Sequence, residues 1–243
     1  MVVKQEVSSK MNQSNYLETI YNENTAPFSD YPKKLISYLF NRFKMSKNQK
    51  ILELGCGRGE FLNEFVKCGL EVHGVDISDY SEKFFTQLNF KKIDMENEKL
   101  PYQDNYFDFI YSKSFIEHFY YPEKVFKEIY RVLKPGGVSI TLTPSWVDNV
   151  KVFYEDYTHR TPFTKMSLND IHKLEGFTNI NIENFIQLPA IWDNKNFKNN
   201  FFYLYFSKLT KFLAPNFLKE KSKWVRFSKE VMLLSIAKKP LEK

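Results

Sequence analysis

The chain predicts a doubly wound α/β fold, a mostly parallel sheet covered by helices on both faces, and three observations lead there. Short apolar runs alternate with stretches of helical periodicity between residues 50 and 144. The phrase ELGCGRGE, residues 53 to 60, follows the first of those runs directly and sets glycines at 55, 57 and 59. An acid, Asp76, ends the second run 21 positions after Gly55. A sheet of this kind meets its ligand at the carboxyl ends of its strands, where the strand order reverses. The glycine phrase stands at such a position.

The elements follow in order. YPKKLISYLFNRFKM (31–45) sets Leu35, Tyr38, Leu39 and Phe43 on one face, which predicts an amphipathic lead-in helix packed on the sheet. KILEL (50–54) is a strand, FLNEFVKC (61–68) a helix ended by Gly69, EVHGV (71–75) a strand, YSEKFFTQL (80–88) a helix and KKID (91–94) a short strand. After the turn-like YQDN comes the strand YFDFIYS (106–112). A helix through VFKEIYRVL (125–133) is stopped by Pro135-Gly136-Gly137 before the strand VSITLTP (138–144). SLNDIHKLEG (167–176) reads as a helix, and NINIENF (179–185) and EVMLLSIA (230–237) as two strands that close the sheet as an antiparallel pair. The expectation is a Rossmann-like, seven-stranded sheet, mostly parallel with an antiparallel final strand, in a single domain. Its parts are a lead-in or lid (1–47), a core (48–185), a basic aromatic insert (186–229) and the final strand and tail (230–243).

Bulk properties narrow the chemistry. With 243 residues and 43% hydrophobic content the chain can fill a real core. Its two cysteines, Cys56 and Cys68, lack paired CxxC spacing and its four histidines are scattered, so disulfide and zinc frameworks are not expected, and no metal is. No leader-like apolar region opens the chain and no run of 18 apolar residues occurs, which points to a cytoplasmic protein. The net charge is +6, yet residues 186 to 229 alone hold eight lysines and one arginine against one aspartate and one glutamate, a net +7. The basic excess lives in one segment.

Glycine permits positive φ and removes the Cβ that would collide with a ligand, while the following helix start offers unpaired N–H groups. A dinucleotide would prefer GxGxxG, and Glu53, two residues before the first glycine, would repel its pyrophosphate. That carboxylate suits a cationic ligand instead, and S-adenosylmethionine carries both a sulfonium and an ammonium. Asp76 can accept hydrogen bonds from both ribose hydroxyls; NAD asks for the same acid, so Asp76 alone leaves both open.

The ordered phrases ILELGCGRGEFL, VHGVDIS, KKIDMENEKLPYQDNYFDFIYSKSFIEHF and RVLKPGGVSITLTP resemble the class I S-adenosylmethionine-dependent methyltransferases, in particular the small-molecule enzymes with a type 11 domain. The resemblance covers residues 48 to 145 well and extends more loosely toward 185. It implies that Gly55, Gly57 and Gly59 line the methionine and ribose, that Asp76 holds the ribose, and that Ile77 contacts the adenine. It further implies that Asp94 faces the adenine amino group with Met95 beside it, and that Ser112 borders the methionine through its backbone. Cys56 occupies a variable position in this cofactor loop and is expected to be a small buried filler rather than a reactive thiol.

Methyl transfer from a sulfonium chiefly needs alignment, and a sugar hydroxyl also profits from a base. Glu117-His118 resembles a family phrase that shapes the active-site helix, so His118 is expected to be mainly structural. In YEDYTHRTPFT (154–164), Asp156, Tyr157, His159 and Arg160 share a polar stretch without apolar period. It resembles a DxxH…PFT phrase of methyltransferases in surface-polysaccharide pathways, which implies His159 as base supported by Asp156, with Tyr157 and Arg160 at the acceptor. The alternative is that Asp156 and His159 only brace the loop.

Residues 195 to 229 interleave Phe, Tyr and Trp with lysine. Such a segment can lie on an anionic membrane, cover an anionic substrate or bind nucleic acid, the last being the weakest reading. The expectation is a helical insert whose aromatics mostly pack on the domain and whose lysines face a small anionic acceptor. The expected function is O-methylation of a phosphorylated or nucleotide-linked sugar, or a related phosphate-bearing precursor, in capsule or lipopolysaccharide synthesis. The alternatives are an RNA methyltransferase and a non-catalytic S-adenosylmethionine-binding partner; an NAD dehydrogenase is weaker. Tyr16 and Tyr21 make a lid over the cofactor plausible.

Overall fold

A computed structural model describes residues 23, 27–85, 89–192, 197–219 and 221–241. Tyr16 and Tyr21 of the expected lid lie outside the described residues. The strands are β1 (Lys50–Leu54), β2 (Glu71–Asp76), β3 (Asn89–Lys92), β4 (Phe107–Lys113), β5 (Leu133–Pro144), β6 (Thr178–Phe185) and β7 (Met232–Lys238). The helices are α1 (Tyr31–Arg42), α2 (Glu60–Lys67), α3 (Pro122–Val132), α4 (Trp146–Asn149), α5 (Lys165–Leu174), α6 (Pro189–Trp192), α7 (Phe197–Leu213) and α8 (Lys223–Lys229). They form one seven-stranded sheet in the order β3-β2-β1-β4-β5-β7-β6. Strand β7 runs antiparallel to both its neighbours, β5 and β6, and the other neighbouring strands pair in parallel.

The central strands are continuous apolar runs because both of their faces are covered. Ile51, Leu52 and Leu54 of β1 are fully buried. On one face α1 contributes Leu35, Ile36 and Leu39 and α2 contributes Leu62 and Phe65. On the other, α3 contributes Val125, Phe126, Ile129 and Val132, with Leu168 of α5. Each such side chain stabilises the fold by about 1.5–3 kcal/mol relative to exposure. Both α1 and α3 carry proline in their first turn, where its missing N–H costs nothing. Helix α5 starts from a reciprocal cap between Thr164 and Ser167. Arg42 closes α1 with two hydrogen bonds to Glu183 of β6, at 2.6 and 3.0 Å, and so fastens the lead-in helix to the sheet edge.

Several local expectations shift. The third strand begins at Asn89 and ends at Lys92, because Ile93 turns into the core and Asp94 opens a turn. The helix expected over 80–88 is a 3-10 turn over Tyr80–Lys83, with 86–88 outside the described residues. The fourth helix-to-strand junction moves as well: Leu133 already pairs with Phe107, so β5 starts before the Pro-Gly-Gly phrase.

The insert needs the largest correction. Its polar groups face inward: Ser207 bonds Ser228 of α8 at 2.9 Å, and Trp224 donates to Thr210 at 3.1 Å. Phe201, Phe202, Tyr205, Phe206, Leu209, Phe212 and Leu213 form a stripe at helical spacing, and all are exposed. Most of the α7 aromatics therefore do not pack on the domain.

Candidate active site

The sheet order reverses between β1 and β4, and the glycine turn crosses the carboxyl end of β1 at that point. Gly55 has φ +68°, and its amide and that of Cys56 both donate to the Val75 carbonyl, at 2.8 and 3.2 Å. The turn is thus folded back over β2. Gly57 and Gly59 also lie at positive φ, and Gly59 opens α2.

One cavity of about 360 Å³ fills this crevice, a size suited to a small ligand. Glu53, Gly55, Cys56 and Gly57 line it from the turn, and Asp76, Ile77, Asp94 and Met95 from the ends of β2 and β3. These eight of the ten expected cofactor residues come together on one wall. Gly59 does not line the cavity; it serves as the first residue of the α2 cap. Ser112 does not line it either, because it is buried against Thr141 of β5 with a 3.3 Å hydroxyl contact. Its neighbours Lys113 and Ser114 take that place on the wall.

Asp76 accepts the Gly57 amide on Oδ2 at 2.8 Å and the Ser78 amide on Oδ1 at 2.9 Å. A carboxylate offers about four lone-pair sites, so these bonds leave it acceptor capacity toward the cavity. Burial raises the Asp76 pKa and the amides of Ser78, Gly57 and Ile77 oppose it. Glu53 is 2% exposed, and its Oε2 has no hydrogen-bond partner. Burial, then Asp76 and Glu60, push its pKa well above the usual carboxyl range. Cys56 is buried with its thiol pKa raised by burial, and a Cβ on Gly74 would stand 3.2 Å from its sulfur. It fills space between turn and β2. Asp94 spends lone pairs on its own turn, accepting from the Glu96 amide at 3.1 Å and the Asn97 side chain at 2.9 Å.

Lys113, which sequence reasoning passed over, ends β4 half-buried at the cavity wall. Burial lowers its pKa to about 8. A lysine after a strand ordinarily reads as solvated; its only early signal was its place in the phrase YSKSFIEHF.

A further part of the cavity wall carries His118, Thr158 and Arg160. Here the loop after β5 is stitched to the turn after β4: the Arg160 and Thr161 amides both donate to the Glu117 carbonyl, at 2.8 and 3.0 Å. The Thr158 hydroxyl donates to Asp156 Oδ1 at 2.6 Å. A hydroxyl has one hydrogen, so toward His118 Nδ1, 2.9 Å away, Thr158 only accepts. Nδ1 therefore carries the hydrogen and His118 Nε2 keeps a lone pair. Burial lowers the His118 pKa, and Asp156 pulls it back up.

His159 lies behind this wall rather than on it. Its Nδ1 donates to the Phe153 carbonyl at 2.6 Å, and its ring stands edge-on to His118 at 5.0 Å between centroids. His159 Nε2 to Asp156 Oδ2 is 3.9 Å, an ion-pair distance but no hydrogen bond. Tyr157 also lies off the wall and is exposed. Of the expected acceptor residues, His118 and Arg160 reach the cavity, while Asp156, Tyr157 and His159 stand behind it. Among the described residues, Glu117, His118 and His159 each offer one ligand-type atom within 4.8 Å of the others. The buried Glu117 carboxyl accepts from Thr143 at 3.0 Å and has its pKa raised by burial.

An open sheet in this strand order, with a glycine turn and a buried acid at the switch point, defines the class I S-adenosylmethionine-dependent methyltransferase fold. Residues 52–141 match the family described as "Methyltransferase domain". That match spans the core of the sheet, and the chain as a whole has the class I S-adenosylmethionine-dependent methyltransferase fold. A phosphoethanolamine N-methyltransferase 2 of Caenorhabditis elegans is 31% identical over 160 residues, 60% of this chain and 36% of that protein. A sterol 24-C-methyltransferase of Gibberella zeae is 34% identical over 110 residues, 42% of this chain and 29% of that protein. The chain thus spans well under half the length of these curated relatives. Among solved structures, the Haemonchus contortus phosphoethanolamine N-methyltransferase 2 in complex with S-adenosyl-L-methionine superposes with TM-score 0.62 at 20% identity. It covers 93% of this chain and 60% of that one.

The residues present fit the cofactor of this class. The unpartnered Glu53 oxygen asks for a cationic donor, the Asp76 carboxylate keeps acceptor sites, and the cavity joins them.

Proposed function

We propose that this chain is a cytoplasmic O-methyltransferase that uses S-adenosylmethionine to methylate a sugar hydroxyl on a phosphorylated or nucleotide-linked precursor of a surface glycan. The observation that carries this reading is the hydrogen-bonded run His118–Thr158–Asp156 on the same cavity as the glycine turn. When bound, S-adenosylmethionine supplies an activated methyl group, which leaves the chain to align the acceptor, exclude water and take a proton. His118 Nε2 takes the proton of the attacking hydroxyl. Asp156, acting through Thr158, steadies the charge that His118 then carries. This transfers the role of base from His159 to His118, because His159 does not line the cavity and its ring backs that of His118. Arg160 on the same wall supports an anionic acceptor, as does the phosphate-bearing substrate in the name of the nematode relative.

The test is mass spectrometry of metabolite and glycan-precursor extracts incubated with deuteromethyl-labelled S-adenosylmethionine. A labelled small phosphate-bearing sugar is expected. His118→Ala should lower its formation by about 10²–10⁴-fold, the usual contribution of a positioned base, with cofactor affinity within a few-fold of wild type. Label in RNA instead, or cofactor binding with no label in any acceptor, would sink the reading.

The acceptor is met at an anionic membrane surface through α7. Its exposed aromatic stripe is accompanied by exposed Lys208 on the same helix, with exposed Lys221 and Lys223 following in the chain, so apolar burial and attraction to anionic headgroups act together. Among the described residues no helix is long and apolar enough to cross a membrane, so the contact is peripheral. Flotation should find the protein on vesicles rich in phosphatidylglycerol and not on phosphatidylcholine alone. High salt should release it, and so should Phe202→Ser with Phe206→Ser. Equal binding to both vesicle types, no binding, or a stripe consumed by self-association in light scattering would count against it.

A further inference from the structure

The turn after β4 and the loop after β5 bring three ligand-type side chains together where no spacing along the chain announced them. Glu117, His118 and His159 each offer one such atom, and these atoms lie within 4.8 Å of one another. The Arg160 and Thr161 amides, both bonded to the Glu117 carbonyl, hold the two segments in that register. The Glu117 side chain is fully buried, and only one of its oxygens is satisfied: Oε2 accepts from Thr143 at 3.0 Å, while Oε1 has no hydrogen-bond partner. A buried polar atom left in this way asks for a ligand, water or ion that completes it. Each histidine is held from behind. His118 Nδ1 faces the Thr158 hydroxyl at 2.9 Å and His159 Nδ1 the Phe153 carbonyl at 2.6 Å, so each ring keeps an Nε2 lone pair on its other side. A metal-bound imidazole is ordinarily anchored in this manner, its second nitrogen donating to an oxygen that fixes tautomer and orientation. Asp156 extends the support, accepting from Thr158 at 2.6 Å and standing 3.9 Å from His159 Nε2 through its other oxygen. His118 lines the cavity, which gives an ion its way in.

We propose that Glu117, His118 and His159 form a binding site for a divalent transition-metal ion, zinc or one of similar preference. An ion at about 2.0–2.2 Å from two nitrogens and one oxygen sets those ligands roughly 3.3 Å apart, so a small closure of the side chains from their present spacing suffices. Two imidazoles and a carboxylate favour such an ion over magnesium or calcium, which take mainly oxygen ligands. Occupancy has a consequence for the reaction. The ion and the acceptor proton need the same lone pair of His118 Nε2, so a filled site withholds the base, and metal binding and methyl transfer exclude each other. That consequence rests on the reading of His118 as base given above; the site itself does not.

Equilibrium titration of the chelator-treated, desalted protein with zinc, and with cobalt as a coloured stand-in, tests the site without any turnover. A single ion per chain should bind, and cobalt should gain the intense visible bands of low coordination number with no thiolate charge-transfer band. His159→Gln and Glu117→Gln should each weaken zinc binding by at least about tenfold, and excess magnesium should not displace the ion. In the deuteromethyl assay, zinc that fills the site should lower label formation by at least about tenfold, as withdrawal of a positioned base does, and EDTA should restore it. His159→Gln, whose ring stands off the cavity, should keep its activity and resist zinc at that concentration. No zinc bound by the wild type, a cobalt–thiolate band, or equal affinity in wild type and His159→Gln would overturn the site. The wild-type spectrum decides even where a variant fails to fold. Zinc bound at these residues with label formation unchanged would overturn the exclusion and spare the site. Zinc bound with no label in any acceptor, EDTA present or not, would sink the methyl-transfer reading alone.

Discussion

Asp76→Ala should lose at least about a hundredfold in affinity for S-adenosylmethionine. Two ribose hydroxyls donating to a half-buried carboxylate would contribute about 1.5–3 kcal/mol each, and alanine removes both acceptors. The substitution acts a second time on the protein itself. The Gly57 and Ser78 amides, now held by the two carboxylate oxygens, would lose their partners, and each unpaired donor costs about 1–3 kcal/mol. The glycine turn would therefore loosen even without ligand. Titration calorimetry reads the first effect and urea denaturation of the free protein the second. Asp76→Asn keeps one carbonyl acceptor and should fall between the two. An affinity within tenfold of wild type for Asp76→Ala would show that the ribose is held elsewhere.

Gly55→Ala should destabilise the protein by about 2–5 kcal/mol and abolish cofactor binding at accessible concentrations. Its φ of +68° is strained for any residue with a Cβ, at about 1–2 kcal/mol. The added carbon would also stand 2.3 Å from Cδ2 and 2.9 Å from Cγ of Phe115, an overlap that costs a further 1–3 kcal/mol, roughly, as the ring shifts. Phe115 lines the cavity, so its displacement falls on the site itself. Gly69→Ala is the matching control. Gly69 has φ +85°, but its Cβ would meet only the flexible Lys47 side chain, at 3.0 Å from Cγ. It should pay the backbone strain alone and bind the cofactor normally. If the two variants melt alike, the Phe115 contact is not what demands glycine at 55.

The first half of the site was legible because its chemistry is contiguous. Glu53, the glycine turn and Asp76 lie within two strands and one turn, so their order along the chain nearly determines their order in space. The same locality exposed the strand–helix alternation, and the seven strands and the antiparallel β7 follow from it. The acceptor side was harder, since it joins the turn after β4 to the loop after β5. His118 and His159 are 41 positions apart, and only the hydrogen bonds of Thr158 decide which ring meets the cavity.

Two features were closed to the sequence for related reasons. Lys113 joins the cavity wall with Tyr31 of α1 and Phe61 of α2 beside its ammonium, and neither neighbour is local in sequence. For α7, periodicity revealed a stripe but not its direction: an apolar stripe looks the same whether it packs inward or faces outward. The Ser207–Ser228 and Thr210–Trp224 contacts set the polar side against α8 and leave the aromatics outside.

By itself, then, the sequence determined the α/β alternation, the glycine turn, the acids that flank it and the basic charge of the insert, because each rests on residues that are neighbours along the chain. Only the tertiary structure decided that Lys113 lines the cavity together with Glu53, that His118 rather than His159 does so, and that α7 turns its aromatics outward. Each of these depends on which surfaces meet when distant segments pack, and local patterning does not encode that.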